Sequence, residues 1–84
     1  MKIDMHVHTS GISLCAHVTA EETLALYGTT DYDAVVITNH FARGCAEHHI
    51  KRTGRDFFDL YQEEFHRAEQ AGRDHGIQVF CGYE

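Results

Sequence analysis

An α/β fold, with parallel strands joined by helices in the order β-α-β-α-β, follows from how apolar residues are spaced along this 84-residue chain. Ala34-Val35-Val36-Ile37-Thr38 is a continuous, mostly β-branched run, the pattern of a strand buried on both faces of a parallel sheet. Phe57, Tyr61, Phe65 and Ala68 recur at helical spacing, which predicts a long amphipathic helix over 56–75. Thr19-Ala20-Glu21-Glu22 reads as a capping box, a Thr followed three residues later by Glu, and opens an earlier helix near Ala20.

The remaining elements follow in order. Residues 2–8 form the first strand, in which Ile3, Met5 and Val7 alternate with Asp4, His6 and His8. A strand has a side-chain period of two, so one face is apolar and the other carries Asp4, His6 and His8. Residues 9–18 are a polar loop that contains Cys15 and His17. Leu24 and Tyr27 give the first helix its apolar stripe, and Gly28 stops it. Residues 41–54 have no clean period and read as irregular. On the long helix, Glu63, Glu64, Arg67, Glu69, Gln70 and Arg73 form the wet face, and His66 and His75 are surface residues. Gly76 ends it. Ile77 to Cys81 is the third strand, with Cys81 expected to be a buried, inert thiol beside Val79.

Crossovers between parallel strands are right-handed. If the strands lie in sequence order, both helices fall on one face of the sheet. The other face, with Val36, Thr38 and Phe80, is then uncovered, whereas parallel sheets bury both faces. A barrel is the simple completion, with the bare face turned inward. The chain is therefore expected to be a single domain that forms the first part of a (β/α) barrel, incomplete in itself, and to self-associate through its open sheet face.

Composition narrows the partners. The net charge of −6 argues against binding along a nucleic-acid backbone. No long apolar run spans a membrane, and the chain is expected to be soluble and cytoplasmic. The three cysteines contain no C-x-x-C pair and are expected to be reduced thiols. The eight histidines are the main compositional signal, because neutral imidazole is the commonest metal ligand.

Those histidines recur at one structural level. His6 and His8, two residues apart on a strand, lie about 6–7 Å apart at Cα and can reach one ion or two neighbouring ions. Asp4, one step back, could accept the second ring N–H of a ligating His and fix its tautomer. His40 ends the second strand and Glu84 follows the third. Parallel α/β sheets and barrels place their chemistry at this carboxyl end.

The set resembles the PHP (polymerase and histidinol phosphatase) family. Asp4-Met5-His6-Val7-His8-Thr9 is similar to its first motif, D-x-H-x-H-T. Thr38-Asn39-His40 resembles the second, T-D-H, and Gly82-Tyr83-Glu84 resembles the third, G-x-E. The resemblance spans essentially the whole chain. It implies a distorted (β/α)7 barrel with two or three divalent ions (zinc, manganese or iron) that hydrolyses phosphoesters. It implies that His6 and His8 bind the first ion, that Glu84 bridges two ions, and that His40 and the loop residue His17 bind a third. Asp4, His40 and Glu84 are then the candidate catalytic residues. The expected substrate is a small phosphomonoester of the histidinol phosphate kind, with a nucleotide or a nucleic-acid 3′-end as the alternative. Two departures stand out. Asn39 replaces the usual Asp with an amide that carries no charge, and Ser13-Leu14-Cys15-Ala16-His17 replaces the usual Ser-Asp-Gly, offering Cys15 as a soft thiolate that favours zinc. The later ligands of the family lie beyond Glu84, so the 84-residue chain alone is expected to be a weak or inactive hydrolase.

Two other functions stay open. Cys15-x-His17 with Cys45, His48 or His49 could hold a structural zinc in a small binding module. Alternatively, the chain could be a metal-binding fragment without activity. His48 and His49 are otherwise expected to face water, and Arg43, Lys51 and Arg52 are solvated or pair with a substrate phosphate.

Overall fold

A computed structural model describes residues 1–84. The elements are β1 (Ile3–Val7), α1 (Ala20–Tyr27), β2 (Ala34–Ile37), α2 (Arg43–Thr53), α3 (Phe57–His75) and β3 (Gln78–Cys81). The strands form one parallel sheet in the order β1-β2-β3. No helix is long and apolar enough to cross a membrane.

Local chemistry sets the helix ends. The Thr19 side chain accepts from the Glu22 amide, as the capping box requires. Asp56 caps α3 by accepting from the Phe58 and Asp59 amides. Gly76 closes α3 at φ 72°, a left-handed turn that glycine enters without a Cβ penalty. The segment 41–54, expected to be irregular, is mostly helix. Its stripe is short and mixed, because α2 buries only Cys45 and His49 and lacks a side-chain N-cap. Few apolar positions left no helical period to read.

One face of the sheet carries the core. Val7, Val35, Ile37 and Val79 pack with Ala20 and Leu24 of α1 and with Ala68 and Ala71 of α3. A second cluster joins Ile12, Cys45, Phe57 and Tyr61, where α2 and the 9–18 loop meet the start of α3. The opposite face is bare, as expected: Val36 is half-buried, Phe80 is 43% exposed, and Met5 of β1 is 73% exposed. Cys81 is exposed rather than buried, because β3 is an edge strand. Desolvation still pushes its thiol pKa up.

Strict alternation fails in β1. Asp4 pairs with Val35 but Val7 pairs with Ile37, so β1 spends one more residue than β2 over this step and bulges. The bulge turns Asp4 away from the histidine face. Its carboxylate accepts from the Tyr27 hydroxyl of α1 and, at 3.1 Å, from the His6 amide. Asp4 therefore does not accept an imidazole N–H; it fastens the bulge to α1. Burial and the hydrogen bond to Asp4 both push the Tyr27 phenol well above its ordinary pKa.

α3 approaches the sheet closely through Gly72. A Cβ there would stand 2.5 Å from the Ile77 carbonyl oxygen and from Val79 Cγ2. Gly72→Ala should cost about 1–3 kcal/mol in chemical denaturation, because backbone must shift to admit the methyl. Arg67 of α3 clamps Glu21 of α1 at 3.0 and 2.8 Å. This hydrogen bond lowers the Glu21 pKa below its ordinary 4.5. A depressed folded pKa stabilises above the unfolded value and is lost as pH falls through the folded one. The pair is exposed, so Glu21→Gln should cost less than about 1 kcal/mol at pH 7. That difference should vanish in acid titrations below the lowered pKa.

Candidate metal centre

The strand ends carry the site, and buried polar side chains hold it there. Beyond β2, the Asn39 side chain is 1% exposed. Its Oδ1 accepts from the Thr9 amide at 2.7 Å and from Ser13 Oγ at 2.8 Å, and its Nδ2 donates to Thr9 Oγ1 at 2.9 Å. The His40 amide donates to Ser13 Oγ at 3.0 Å. Thr9 follows His8 and Asn39 precedes His40, so this network fixes both histidines at the backbone. Tyr61 of α3 shares its one hydroxyl proton between the carbonyl oxygens of Asn39 and Gly82, at 2.8 and 2.7 Å, tying the end of β2 to the end of β3. The Glu84 amide donates to the Asn39 carbonyl at 3.2 Å, and the Phe41 amide to the Glu84 carbonyl at 2.8 Å. Tyr83 stacks on Tyr61 with ring centroids 5.2 Å apart. The segment bearing Glu84 is thereby held against β2.

Three ligand types converge on this rim. Glu84 Oε2 contacts His8 Nε2, lies 3.1 Å from His6 Nε2 and lies 3.6 Å from His40 Nδ1. The two Nε2 atoms of His6 and His8 are themselves 3.1 Å apart. Cys15 Sγ lies 3.6 Å from His8 Nδ1. The donors form two triads that share His8: His6, His8 and Glu84, and His8, Cys15 and His40, each with its ligand atoms within 4.8 Å of one another. Tetrahedral zinc with bonds of about 2.0–2.1 Å to nitrogen or oxygen spaces its ligands about 3.3 Å apart. Two separations in the first triad, His6–His8 and His6–Glu84 at 3.1 Å each, are near that spacing, while His8 and Glu84 stand closer together; the nitrogen, oxygen and sulfur donors suit a borderline divalent ion. Desolvation raises the Glu84 carboxyl, but the attraction of His6 and hydrogen bonds from His8 and His6 outweigh it, so its pKa ends below the ordinary value.

His6, His8, His40 and Glu84 thus come together as the sequence reading expected. His17 does not. It is exposed and belongs to neither triad, and Cys15, two residues earlier on the loop, takes the position beside His8 and His40. The loop folds inward at Ile12 and Ser13, which are 1% and 0% exposed. That brings Cys15 to the rim and leaves His17 outside. The alternative zinc module is not assembled either. Cys45 and His49 are buried and both face the Ile12 carbonyl, at 3.0 and 2.8 Å, so His49 does not point to water. Arg43 pairs with Glu47 at 2.9 Å, and Arg52 lies 3.3 Å from His49 Nδ1, so these cations are engaged on α2.

Glu64 was assigned to the wet face of the long helix, yet it is 3% exposed. It stands three residues after Tyr61 and four before Ala68, within the buried stripe, and that spacing is the signal that could have found it. Its carboxylate accepts from Thr9 Oγ1 and, at 3.0 Å, from the Gly11 amide, with Arg67 3.4 Å away. No protein-family model, curated protein or solved structure matches this chain.

Asn39→Asp tests the network. The Thr9 hydroxyl has one proton, which it gives to Glu64, and a carboxylate at 39 would lose the Nδ2 donor and compete for that proton. The variant should lose about 1–3 kcal/mol of stability at pH 7, read by urea denaturation.

Proposed function

We propose that this chain carries the metal centre of a phosphoesterase of the PHP type, acting on a small phosphomonoester, and that its sheet is the first part of a (β/α)7 barrel. The observation that carries the reading is the convergence of His6 and His8, from the end of β1, with Glu84, from beyond β3, at the carboxyl-terminal edge of the sheet. The ordered sequence resemblance across all three strand ends adds to it. The donors leave one side open: the side chains of His6 and Glu84 are 64% and 40% exposed. Structural zinc sites are closed, whereas catalytic ones keep a position for water or substrate.

A divalent ion at such a site polarises a phosphoryl oxygen and lowers the pKa of bound water. The chain's own residues supply the rest. His6, His8 and Glu84 would hold the ion, with the carboxylate of Glu84, whose pKa the neighbouring histidines lower further, as the anionic ligand. Glu84 is the only carboxylate in the two triads, so the donors would leave most of a dication's charge available to a phosphate. The Asn39 network and the Tyr61 hydroxyl hold the ligand backbones in place, which limits reorganisation during the reaction. The barrel reading is supported by the bare sheet face, where Phe80 and Met5 are exposed and Thr38 Oγ1 is buried without a hydrogen-bond partner. The net charge of −6 favours a small substrate over a nucleic acid.

The test is elemental analysis of the chain after zinc or manganese loading, followed by turnover of an aryl phosphate. His8 belongs to both triads, so His8→Ala should weaken metal binding roughly tenfold or more. It should also abolish whatever turnover the wild type has. Metal content and turnover that do not change in this variant would overturn the assignment.

A further inference from the structure

The two ligand triads differ in chemistry, and they meet at one imidazole. His8 presents Nε2 to Glu84 and His6, and its Nδ1 lies 3.6 Å from Cys15 Sγ. A neutral imidazole has one ring nitrogen with a free lone pair, and the other carries the proton. A neutral His8 can therefore ligate toward the carboxylate triad or toward the thiolate triad, but not both at once. The first triad offers two nitrogens and an oxygen; the second offers two nitrogens and a sulfur. Thiolate selects zinc or cobalt over manganese, which prefers carboxylate and water.

We propose that His8, Cys15 and His40 form a second, thiolate-bearing metal position that takes a soft or borderline ion such as zinc, and that this ion competes with the carboxylate triad for His8. Cys15 binds as the thiolate: its S–H bond breaks, the sulfur lone pair forms the bond to zinc, and the proton leaves to solvent. The geometry sets Cys15 apart from the other thiols. Cys45 is buried against the Ile12 carbonyl, and Cys81 lies on the edge strand outside both triads. The proposal needs a metal centre at these strand ends but not phosphoester hydrolysis, so bound metal without turnover would remove the hydrolase reading and leave this one standing.

Cobalt(II) titration of the whole chain tests it. A sulfur-to-cobalt charge-transfer band should appear with wild type. It should be lost in Cys15→Ser and in His40→Ala, and persist in Cys81→Ser and in His6→Ala. No band with wild type, or a band that survives Cys15→Ser, would overturn the proposal. A second measurement needs no variant. Alkylation by iodoacetamide, mapped by peptide, should slow about tenfold or more at Cys15 when zinc is bound, because a coordinated thiolate is a poor nucleophile. Labelling of exposed Cys81 should not change. Unchanged labelling of Cys15 with zinc, or equal protection by manganese, would overturn it.

Discussion

The Asn39 side chain is the contact on which the site depends, and the direction of every proton around it is fixed. Backbone amides only donate, so Oδ1 must be the atom facing the Thr9 amide. The His40 amide donates to Ser13 Oγ, and Ser13 then passes its own proton to Oδ1. Nδ2 is left as the donor to Thr9 Oγ1, and Thr9 gives its hydroxyl proton to Glu64. An amide at 39 and a carboxylate at 64 are thus two ends of one chain of donors. Buried networks of this kind are stabilising when every member is satisfied and costly when one is not. The amide, which departs from the resembled motif, is the residue that this chain of protons requires.

α3 works as the pillar behind the rim. Tyr61 bridges the carbonyls past β2 and β3, Glu64 anchors the 9–18 loop, and Arg67 joins Glu64 to Glu21 of α1. These contacts come from successive turns of one helix, on positions spaced three apart. Ligands from beyond β1, β2 and β3 are therefore referred to a single rigid element. Gly72, further along α3, lets that element sit close to β3. A change in the depth of α3 would move Cys15 and Glu84 together.

The sequence made the architecture and the ligand rim readable for concrete reasons. The β-branched run at 34–38 and the stripe of Phe57, Tyr61 and Ala68 are long, unambiguous periods, and they became β2 and α3. His8, His40 and Glu84 could be grouped from the sequence because each follows a strand. What failed lies where backbone geometry overrides period. The bulge in β1 moved Asp4 to the helix side, which no alternation rule anticipates. The loop between β1 and α1 has no periodicity, so nothing in the sequence could separate Cys15 from His17. Glu64 was misread because its charge outweighed its stripe position, although a carboxylate can be buried where enough donors meet it.

The distribution of charge around the rim follows from these placements. Asp4 is spent on Tyr27, Asn39 is neutral, and Glu64 is balanced by Arg67. Of the carboxylates near the histidines, only Glu84 faces them. Cys15 is then the one further group there that would add an anion, its thiol proton leaving to solvent as the sulfur binds an ion. A rim with one permanent negative charge and one conditional charge would leave a dication strongly positive until a thiolate or a substrate anion joins it. In the proposed centre a substrate anion and the thiolate would compete to neutralise the same charge, with the Cys15 loop held in position by Glu64 and Asn39.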